Sequence, residues 1–583
     1  NSLQNWTLTN SPSWGSGWSA RLYQPQPAGI LWEVDVSPNG DLVAAVDIST
    51  HVLTVWNMSD GRTVFHADHS NPLVDVIWLD ESHVLVADSG TQWYSYEVID
   101  HGEAWPMNET SMRTGHWSND LNGGRAGWLW GLDSTIDGSR VVFCGDIDDP
   151  NIGGEIVVAD ASYFISGAPA NSAHVFTTEW GADCAISDNN TFVASLNRIW
   201  DNAISAYRDT VSGWEIQGNS LTQTWYRNVA GGESMAWAID FNPSGATYTV
   251  AYNRPNEGVA VDFFHEDGAI NWFSPIPQNM SSIEWTNDAA YVAAGLHSPG
   301  RILMLDNAGA ILGDYGWHSY ISNGQPYASD VTSVTFDNHN NRVVSAGKDG
   351  SIEIYNIDSS TNMLEIYHRF GADLMREIAI HPFEPYVAFA ESSGVVTVRN
   401  FDNGRIVSQC FHPSFGQPNI DIPYAKSVIV AEQLLIAGFS DGMINACGLL
   451  DGKKTWEWRI SSLHPIEKFG RIDKHPLHDF LAMSWTQNVS TTGVAGKVSI
   501  LDLNQMTEVR TWDYQVEQWT LAFSTSGDWL ASSAQNGSIR LWETSDMLAT
   551  LWTDNGIQYS HGNYTGALSW DTIDDVLMTA GRD

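Results

Sequence analysis

A pattern of short apolar strands separated by tight polar turns returns along this chain about every 40 to 50 residues. Clear copies lie at residues 31–57, 331–356 and 519–543. Each copy has an apolar strand, a polar turn, a second strand, a turn containing Gly or Asn, and a third strand that ends near an aromatic residue. A repeat of this period predicts an architecture in which neighbouring units bury one another's apolar faces, because no single unit can bury its own.

The turn of the first copy, at residues 37–40, serves as a register mark for the rest of the chain. Aligning the chain on this mark predicts about eleven complete units and one partial unit, with no long amphipathic helix between them. We expect the innermost strands to begin near Leu31, Leu73, Trp128, Asp183, Met235, Ile283, Val331, Arg376, Lys426, Phe469, Trp519 and Thr565.

These units resemble the repeats of the WD-repeat family of β-propellers, over essentially the whole chain. The resemblance rests on the strand spacing, on the turns at 349–350 (Asp-Gly) and 536–537 (Asn-Gly), and on strand ends such as Trp56-Asn57. It implies an all-β fold of tandem β-propellers, built from about twelve four-stranded blades. The family's Gly-His pair is mostly missing and its Trp-Asp pair is replaced, so we expect an incomplete His–Asp network with aromatic packing in its place.

Twelve blades exceed the number in one ordinary ring, since propellers typically have about four to eight. Two tandem rings are therefore expected. The longest connection without a strand pattern near the middle of the chain is 319–330, which places the first propeller at 28–320 and the second at 321–583. A division into seven and five blades would instead move the boundary to about Gly371 and would require missing blades.

The two ends of the sequence resemble parts of one unit. The sequence AGRD at 580–583 followed by NSLQNWTL at 1–8 parallels AGKDGSIEIYN at 346–356. Residues 1–27 are therefore predicted to complete the last blade, which would remove an exposed sheet edge. The alternatives are an excerpt cut within a blade of a longer chain and donation of this strand to a neighbouring molecule.

The chain is strongly acidic, with 69 Asp and Glu against 27 Lys and Arg and a formal net charge of −42. Such a surface repels phosphate groups, so nucleic acid and anionic lipid are excluded as expected partners. No apolar run is long enough for a membrane-spanning helix. The composition favours an extracellular or cell-surface location, with the cytoplasm of a high-salt organism as the alternative.

Four cysteines lie in two pairs that are each spaced by about one repeat. Cys144 and Cys184 form the first pair and Cys410 and Cys447 the second, so each pair could meet across neighbouring blades. Disulfides in an oxidising compartment and four buried free thiols remain equal alternatives at this point.

A second register position carries large side chains, five residues before the first turn of its unit. Four units have tryptophan there and one has arginine: Trp32, Trp130, Trp237, Trp519 and Arg376. This position opens the innermost strand, so these side chains are predicted to surround a channel mouth and to bind a protein or peptide partner, with a glycan as another candidate. The alternative is that the indoles pack between adjacent blades.

An acidic, glycine-rich segment at 146–155 interrupts the third unit. Carboxylate and amide oxygens are the ligands that Ca²⁺ prefers, so Asp146, Asp148, Asp149 and Asn151 are candidate ligands. The spacing does not follow an EF-hand, and the alternative is an exposed acidic loop in an acidic protein. No other metal or cofactor is expected.

Short catalytic motifs such as HExxH and GxSxG are absent from the sequence. We therefore predict a non-catalytic binding or scaffold protein that presents an aromatic and acidic channel mouth to a partner. Two alternatives remain. One is a propeller enzyme, of the quinoprotein or glycan-active kind, and the other is a surface structural protein that assembles by strand exchange.

Overall fold

The computed structural model gives an all-strand fold with very little helix. The described residues are 29–102, 112–116, 127–149, 152–169, 171–201, 206–228, 236–243, 247–254, 258–265, 270–276, 280–297, 300–316, 318–322, 325–358, 363–371, 375–381, 383–400, 405–415, 423–460, 466–489, 493–546, 548–561, 565–570 and 576–581. Every structural statement below concerns these residues.

The first seven units are four-stranded antiparallel blades, numbered here in chain order, and one parallel bridge between the outer strands of blades 3 and 4 joins these two into an eight-stranded sheet. Their strands, from the innermost outwards, are Leu31–Val36, Leu42–Asp47, Val52–Asn57 and Thr63–Asp68 in blade 1; Leu73–Trp78, His83–Asp88, Gln92–Glu97 and Met112–His116 in blade 2; Leu129–Ser134, Arg140–Asp149, Ile152–Asp160 and Ser172–Thr177 in blade 3; Trp180–Ile186, Phe192–Asp201, Ala206–Gln217 and Ser220–Asn228 in blade 4; Ala236–Phe241, Thr247–Arg254, Gly258–His265 and Ile270–Ile276 in blade 5; Met280–Trp285, Tyr291–Leu296, Ile302–Asp306 and Ile311–Tyr315 in blade 6; and Val331–Asp337, Arg342–Gly347, Ser351–Asp358 and Met363–Gly371 in blade 7.

Four more complete blades and a two-stranded unit follow. Their strands are Met375–Ile380, Tyr386–Glu391, Val395–Asn400 and Ile406–Phe411 in blade 8; Ala425–Ala431, Leu434–Phe439, Met443–Gly448 and Lys454–Arg459 in blade 9; Ile466–Lys474, Phe480–Val489, Gly493–Asp502 and Thr507–Tyr514 in blade 10; Gln518–Phe523, Trp529–Ala534, Ser538–Glu543 and Thr553–Ser560 in blade 11; and Thr565–Trp570 and Leu577–Gly581 in blade 12. A short α-helix, Ala161–Ser166, and a 3-10 turn, Ala549–Leu551, complete the described elements, apart from one hairpin considered below.

The innermost strands of blades 1 to 7 pack side by side and return to their start, so they form a closed ring. The strand of blade 7 packs on that of blade 1, where the Thr332 hydroxyl donates to the Leu31 carbonyl at 2.7 Å. Each of these blades comes from one continuous segment, so this ring closes without a shared blade. The second series runs from blade 8 to blade 12, and no packing of comparable extent joins its described ends.

The contacts of blade 7 contradict a domain boundary at 320, because they place residues 331–371 in the first ring. The segment predicted as a boundary is itself a β-hairpin, formed by Ser319–Ser322 and Gln325–Ala328, between blades 6 and 7. Its sequence lacks the alternating apolar pattern of the blades, and for this reason the pattern indicates a linker there. The two arrays also touch, since the Ile406 N–H donates to the Asp60 carbonyl at 2.6 Å.

Apolar residues of facing blades form the core, in a series of clusters between neighbouring sheets. The family's His–Asp network is complete in blade 7. The buried His318 ring contacts the Asp349 carboxylate at 3.0 Å and the Ser345 hydroxyl at 2.9 Å. A second histidine, His412, lies 3.5 Å from Asp441 and occupies the same place before blade 9. The expected loss of this network is therefore partial.

Both cysteine pairs form disulfides between adjacent blades. Cys144 of blade 3 is joined to Cys184 of blade 4, with Cα atoms 6.1 Å apart, and Cys410 of blade 8 is joined to Cys447 of blade 9, with Cα atoms 6.0 Å apart. Each bond therefore ties one sheet to the next, one bond in each array.

The segment 1–27 lies outside the described residues, so its pairing with blade 12 stays a prediction. Within the described ranges, no helix combines the length and the apolar character that crossing a bilayer would need.

Candidate functional site

The first ring encloses a cavity of about 1180 Å³, lined by the innermost strands of all seven blades. One end lies where these strands begin and carries several tryptophans. The other end lies where they finish, and there Pro38, Glu81, Asp137, Asp188 and Asn287 line the wall. The cavity therefore has an aromatic end and a polar, acidic end.

Four tryptophans line the aromatic end, and we call them the aromatic mouth: Trp32, Trp128, Trp130 and Trp180. Trp128 is 57% exposed, Trp130 40% and Trp180 41%. The Trp128 and Trp130 rings lie 5.9 Å apart, and the Trp130 indole N–H donates to the Asp146 carboxylate at 2.9 Å. Exposed indoles at a cavity mouth offer a large apolar area with a polar edge, which is typical of binding surfaces.

The register position that carries these large side chains is a β-bulge. The pairing with the second strand skips one residue at Trp32, Trp130, Trp237, Trp519 and Arg376. A bulge leaves one residue out of the ladder and changes the direction of its side chain. The shared position therefore has a backbone cause, which explains why it recurs at the same distance from the turn.

The structure brings only part of the predicted set together. Trp32 and Trp130 line the same cavity, whereas the Trp237 side chain lies outside the described residues. Trp519 and Arg376 belong to the second array. There the Trp519 indole N–H donates to Glu517 at 3.2 Å, and the Arg376 guanidinium lies 5.1 Å from the Tyr424 ring centre.

Sequence reasoning missed the other two members of the aromatic mouth. Trp128 lies two residues before Trp130, and residues with this spacing share one face of a strand. That signal is present in the sequence. Trp180 lies two residues before the bulge of blade 4 at Ala182. Trp128 lies two residues before the bulge of blade 3 in the same way. A sequence alignment that considers only the bulge position overlooks both tryptophans.

Seven acidic side chains line the interior of the same cavity, and we call them the channel carboxylates: Glu33, Asp35, Asp75, Asp133, Asp183, Asp240 and Glu284. They occupy two alternate positions of the innermost strands, so they form two layers along the channel. Sequence reasoning missed them because it searched for short motifs, whereas these residues are spread over the innermost strands of blades 1 to 6, with two in blade 1 and one in each of the others.

Most channel carboxylates hold one blade to the next. Asp35 accepts the N–H of Val36 in its own strand at 2.7 Å and the N–H of Trp78 in blade 2 at 2.7 Å. Asp133, Asp183 and Asp240 make the same pair of bonds, with their own strands and with blades 4, 5 and 6. These carboxylates therefore satisfy backbone donors that blade packing would otherwise leave buried and unpaired.

The same surroundings make ionisation of the channel carboxylates costly. Burial, which disfavours the charged form, raises the pKa of Glu33 to about 8 and that of Asp133 to about 8. It also raises the pKa of Asp183 to about 7 and that of Asp35 to about 6. For Glu284, burial is reinforced by repulsion from four other channel carboxylates, so its pKa is well above the ordinary range.

Basic residues that line the cavity are already paired with other acids. Arg198 bonds Asp209 at 2.9 Å, while Lys348 and His297 lie 2.6 and 3.2 Å from Asp330. Among the described residues no ion pair involves a channel carboxylate. The carboxyl groups inside the first ring therefore have no described basic group to stabilise their ionised form.

The acidic segment at 146–155 is an extension of two paired strands in blade 3 rather than an interrupting loop. Asp146 pairs across the sheet with Gly154 and accepts the Trp130 indole N–H. The side chains of Asp148 and Asp149, and residue Asn151, lie outside the described residues. No group of three His, Cys, Asp or Glu suited to a metal ion occurs within the described parts, and calcium binding by this segment stays a prediction.

Comparison with known families supports the interpretation of the fold. The family model described as "WD domain, G-beta repeat" matches residues 320–356 and 507–543. These matches cover the three inner strands of blades 7 and 11, together with the strand or hairpin that precedes each. No curated protein matches the chain.

The chain thus carries WD repeats at two places, and its all-strand fold of four-stranded antiparallel sheets is consistent with a tandem WD-repeat β-propeller. WD repeats build propellers that act as protein-interaction scaffolds, and proteins of this kind are generally non-catalytic. They typically bind proteins or peptides.

Proposed function

We propose that this protein is a non-catalytic scaffold that binds a protein or peptide partner at the aromatic mouth of its first ring. The observation that carries the proposal is the exposure of Trp128, Trp130 and Trp180 around one end of the enclosed cavity. Leaving three large indoles in contact with water is unfavourable unless a partner covers them. Tryptophan is also among the residues that contribute most to binding energy at interfaces.

An extracellular or cell-surface location agrees with this function. Both disulfides join separate blades, and such bonds persist mainly in oxidising compartments. The acid-rich surface would keep the scaffold soluble and would favour partners with basic or neutral contact surfaces.

A random peptide library tests the aromatic mouth directly. Peptides displayed on phage would be selected on the oxidised chain, and the dissociation constants of the best binders measured by calorimetry. The double variant Trp128→Ala, Trp130→Ala is expected to weaken binding by at least about 100-fold, because hot-spot residues contribute about 2 kcal/mol or more each. Trp519→Ala, at the same register in the second array, is the matched control.

Selected peptides that bind the double variant as tightly as the native chain would refute the aromatic mouth as the site. A parallel screen on immobilised glycans distinguishes the other ligand class. If no peptide is selected but glycan binding depends on Trp128 and Trp130, the aromatic mouth is a binding site for glycans and not for peptides.

A further inference from the structure

The interior of the first ring holds more carboxyl groups than the backbone hydrogen bonds between its blades use. Seven channel carboxylates face one cavity, and no described basic group pairs with them. Like charges in a confined, partly dry site repel strongly, so such a site gains free energy by taking up a positive charge. An acidic cluster alone does not define a binding site.

The innermost strand of blade 6 places a buried hydroxyl at the wall of this cavity. The Ser282 hydroxyl lines the cavity, is 7% exposed and has no hydrogen-bond partner among the residues that the structure describes. Two residues further on, Glu284 also lines the cavity, and among the described residues no hydrogen bond to its carboxylate is found. A buried hydroxyl without a partner is unfavourable, because it has lost the hydrogen bonds that water would make to it. A hydroxyl and a carboxylate on one wall, both lacking partners, are what a ligand with N–H donors would satisfy.

The chemistry of the wall narrows the class of cation. The described residues contain no cluster of three groups suited to a metal ion. Asp183 and Asp240 each accept one backbone N–H on each oxygen, so their remaining acceptor sites are single and separate. An ammonium group suits them, because it is compact and carries three donors that rotate freely, whereas guanidinium presents its donors as a rigid fork.

We propose that the interior of the first ring is a binding site for primary ammonium groups, bound between the channel carboxylates and the Ser282 hydroxyl. The two carboxylate layers are two residues apart along their strands, or about 6 to 7 Å. A linear polyamine carries ammonium groups separated by short methylene chains and can therefore reach both layers. A lysine side chain of a bound polypeptide supplies the same chemistry from another source. The site lies inside the channel, so it stands whether or not the aromatic mouth binds a partner.

Calorimetry on the intact, oxidised chain tests the proposal, with spermidine and a tri-lysine peptide as separate probes and a tri-arginine peptide for comparison. Measurements at low salt and pH 8 keep the attraction unscreened. Glu284→Gln preserves shape and removes one charge, and it is expected to weaken spermidine binding about tenfold. Glu543→Gln removes the same charge from an exposed position in blade 11 and is expected to change nothing.

Each outcome decides the question. Spermidine binding that Glu284→Gln weakens and Glu543→Gln does not supports the site, and the same pattern with tri-lysine alone assigns it to a lysine side chain. Failure of both probes to bind the native chain overturns the proposal, as does equal weakening by the two variants or equal affinity for tri-arginine. Ser282→Ala, expected to weaken binding a few fold, is a second variant if Glu284→Gln does not fold. Unchanged spermidine binding by Trp128→Ala, Trp130→Ala separates this test from that of the aromatic mouth.

Discussion

The first ring and the second array place acidic residues at the same positions of their innermost strands but balance the charge differently. In the first ring the seven channel carboxylates have no described ion pair. In the second array Glu377 forms an ion pair with Arg471, and Lys468 lies 2.9 Å from Glu517. Lysine is distributed in a similar way. Lys348 in blade 7 is the first lysine in the sequence, and the other six follow it in the second array.

The comparison separates what the fold needs from what it does not. Asp133 in the first ring and Asp473 in the second array make the same two bonds, to the next residue and to the N–H of the following blade. The blades therefore need an acceptor at this position. They do not need a carboxylate without a basic neighbour, since the equivalent acceptor in the second array, Asp473, lies close to Arg471.

Ring closure is the second difference. The innermost strand of blade 1 is covered by blade 7, and Val36 is 7% exposed. The equivalent residue of blade 8, Ile380, is 68% exposed, because no described blade precedes it in the second array. The open end exposes a face that is buried at most of the equivalent positions, so the two arrays should respond differently to the same kind of change.

Loss of the disulfide at the open end should have the largest effect. Replacing Cys410 and Cys447 by alanine removes a bond that closes a loop of 37 residues, which contributes about 4 kcal/mol in the chain-entropy estimate. We expect the second array to unfold at a clearly lower temperature in calorimetry. In hydrogen exchange, protection should be lost first in blade 8, because blade 9 is its only neighbour among the described blades of that array.

The matched variant replaces Cys144 and Cys184, which close a loop of 40 residues and have nearly the same entropic contribution. In the closed ring, blades 3 and 4 each keep a second neighbour, so the loss of protection should be spread over the ring. Local unfolding of blade 3 equal to that of blade 8 would show that closure does not protect the ring.

Removing a basic partner should make the second array resemble the first. Arg471→Met leaves Glu377 without its ion pair while it keeps much of the side-chain volume. Because Arg471 is about one third exposed, we expect a loss of only about 1 kcal/mol in the free energy of unfolding. Arg459→Met, at a more exposed pair with Asp441, should cost less in the same denaturant titration. Equal losses of unfolding free energy in the two variants would mean that the Glu377–Arg471 pair contributes no more than an exposed surface pair.

Removing an acidic side chain from the first ring should instead increase the free energy of unfolding. Glu284→Gln is expected to increase the free energy of unfolding at pH 8 by about 1 kcal/mol, because burial and repulsion raise the pKa of Glu284. With a raised folded pKa, the native state holds more protons than the unfolded state above about pH 4. The stability of the native ring therefore falls as the pH rises from about 4 through about 8, the pKa of Glu33 and Asp133.

Thermal melts across this range check the sign. The benefit of Glu284→Gln should disappear near pH 4, where the native carboxyl is already protonated. The His318–Asp349 pair provides an internal control, since burial opposes ionisation there but His318 lowers the pKa of Asp349 to about 2. Its contribution is present above the unfolded value of 3.8 and is lost as the pH falls towards 2. A benefit that is constant with pH would contradict the charge argument.

The repeat register predicted most of the fold, and its limits have physical causes. The positions of all twelve innermost strands follow from turn and strand chemistry, which is local. The number of blades in a ring depends on how sheets pack on one another, and no turn reports it. The hairpin at 319–328 therefore resembles a linker in sequence, although it lies within the first ring.

The candidate site was predictable only in part. Trp32 and Trp130 stand out because large side chains recur at one distance from the turn, and a bulge fixes their position. The channel carboxylates are hidden in the sequence, because Asp35 and Asp183 occupy different positions of their strands and converge only when the ring closes. In an acidic chain, seven carboxylates do not stand out by composition.

The smallest effect should come from the exposed face of blade 8. Ile380→Ser removes a large apolar side chain that is mostly in water already, so the free energy of unfolding should change by no more than about 0.5 kcal/mol. Val36→Ser, at the same register in blade 1, is the matched variant and should cost about 2 kcal/mol or more, because it leaves a hydroxyl in an apolar core. Both values come from denaturant titration of the purified chain. A large cost at Ile380 would mean that this face is covered in solution, and the contrast between a closed ring and an open array would then not hold.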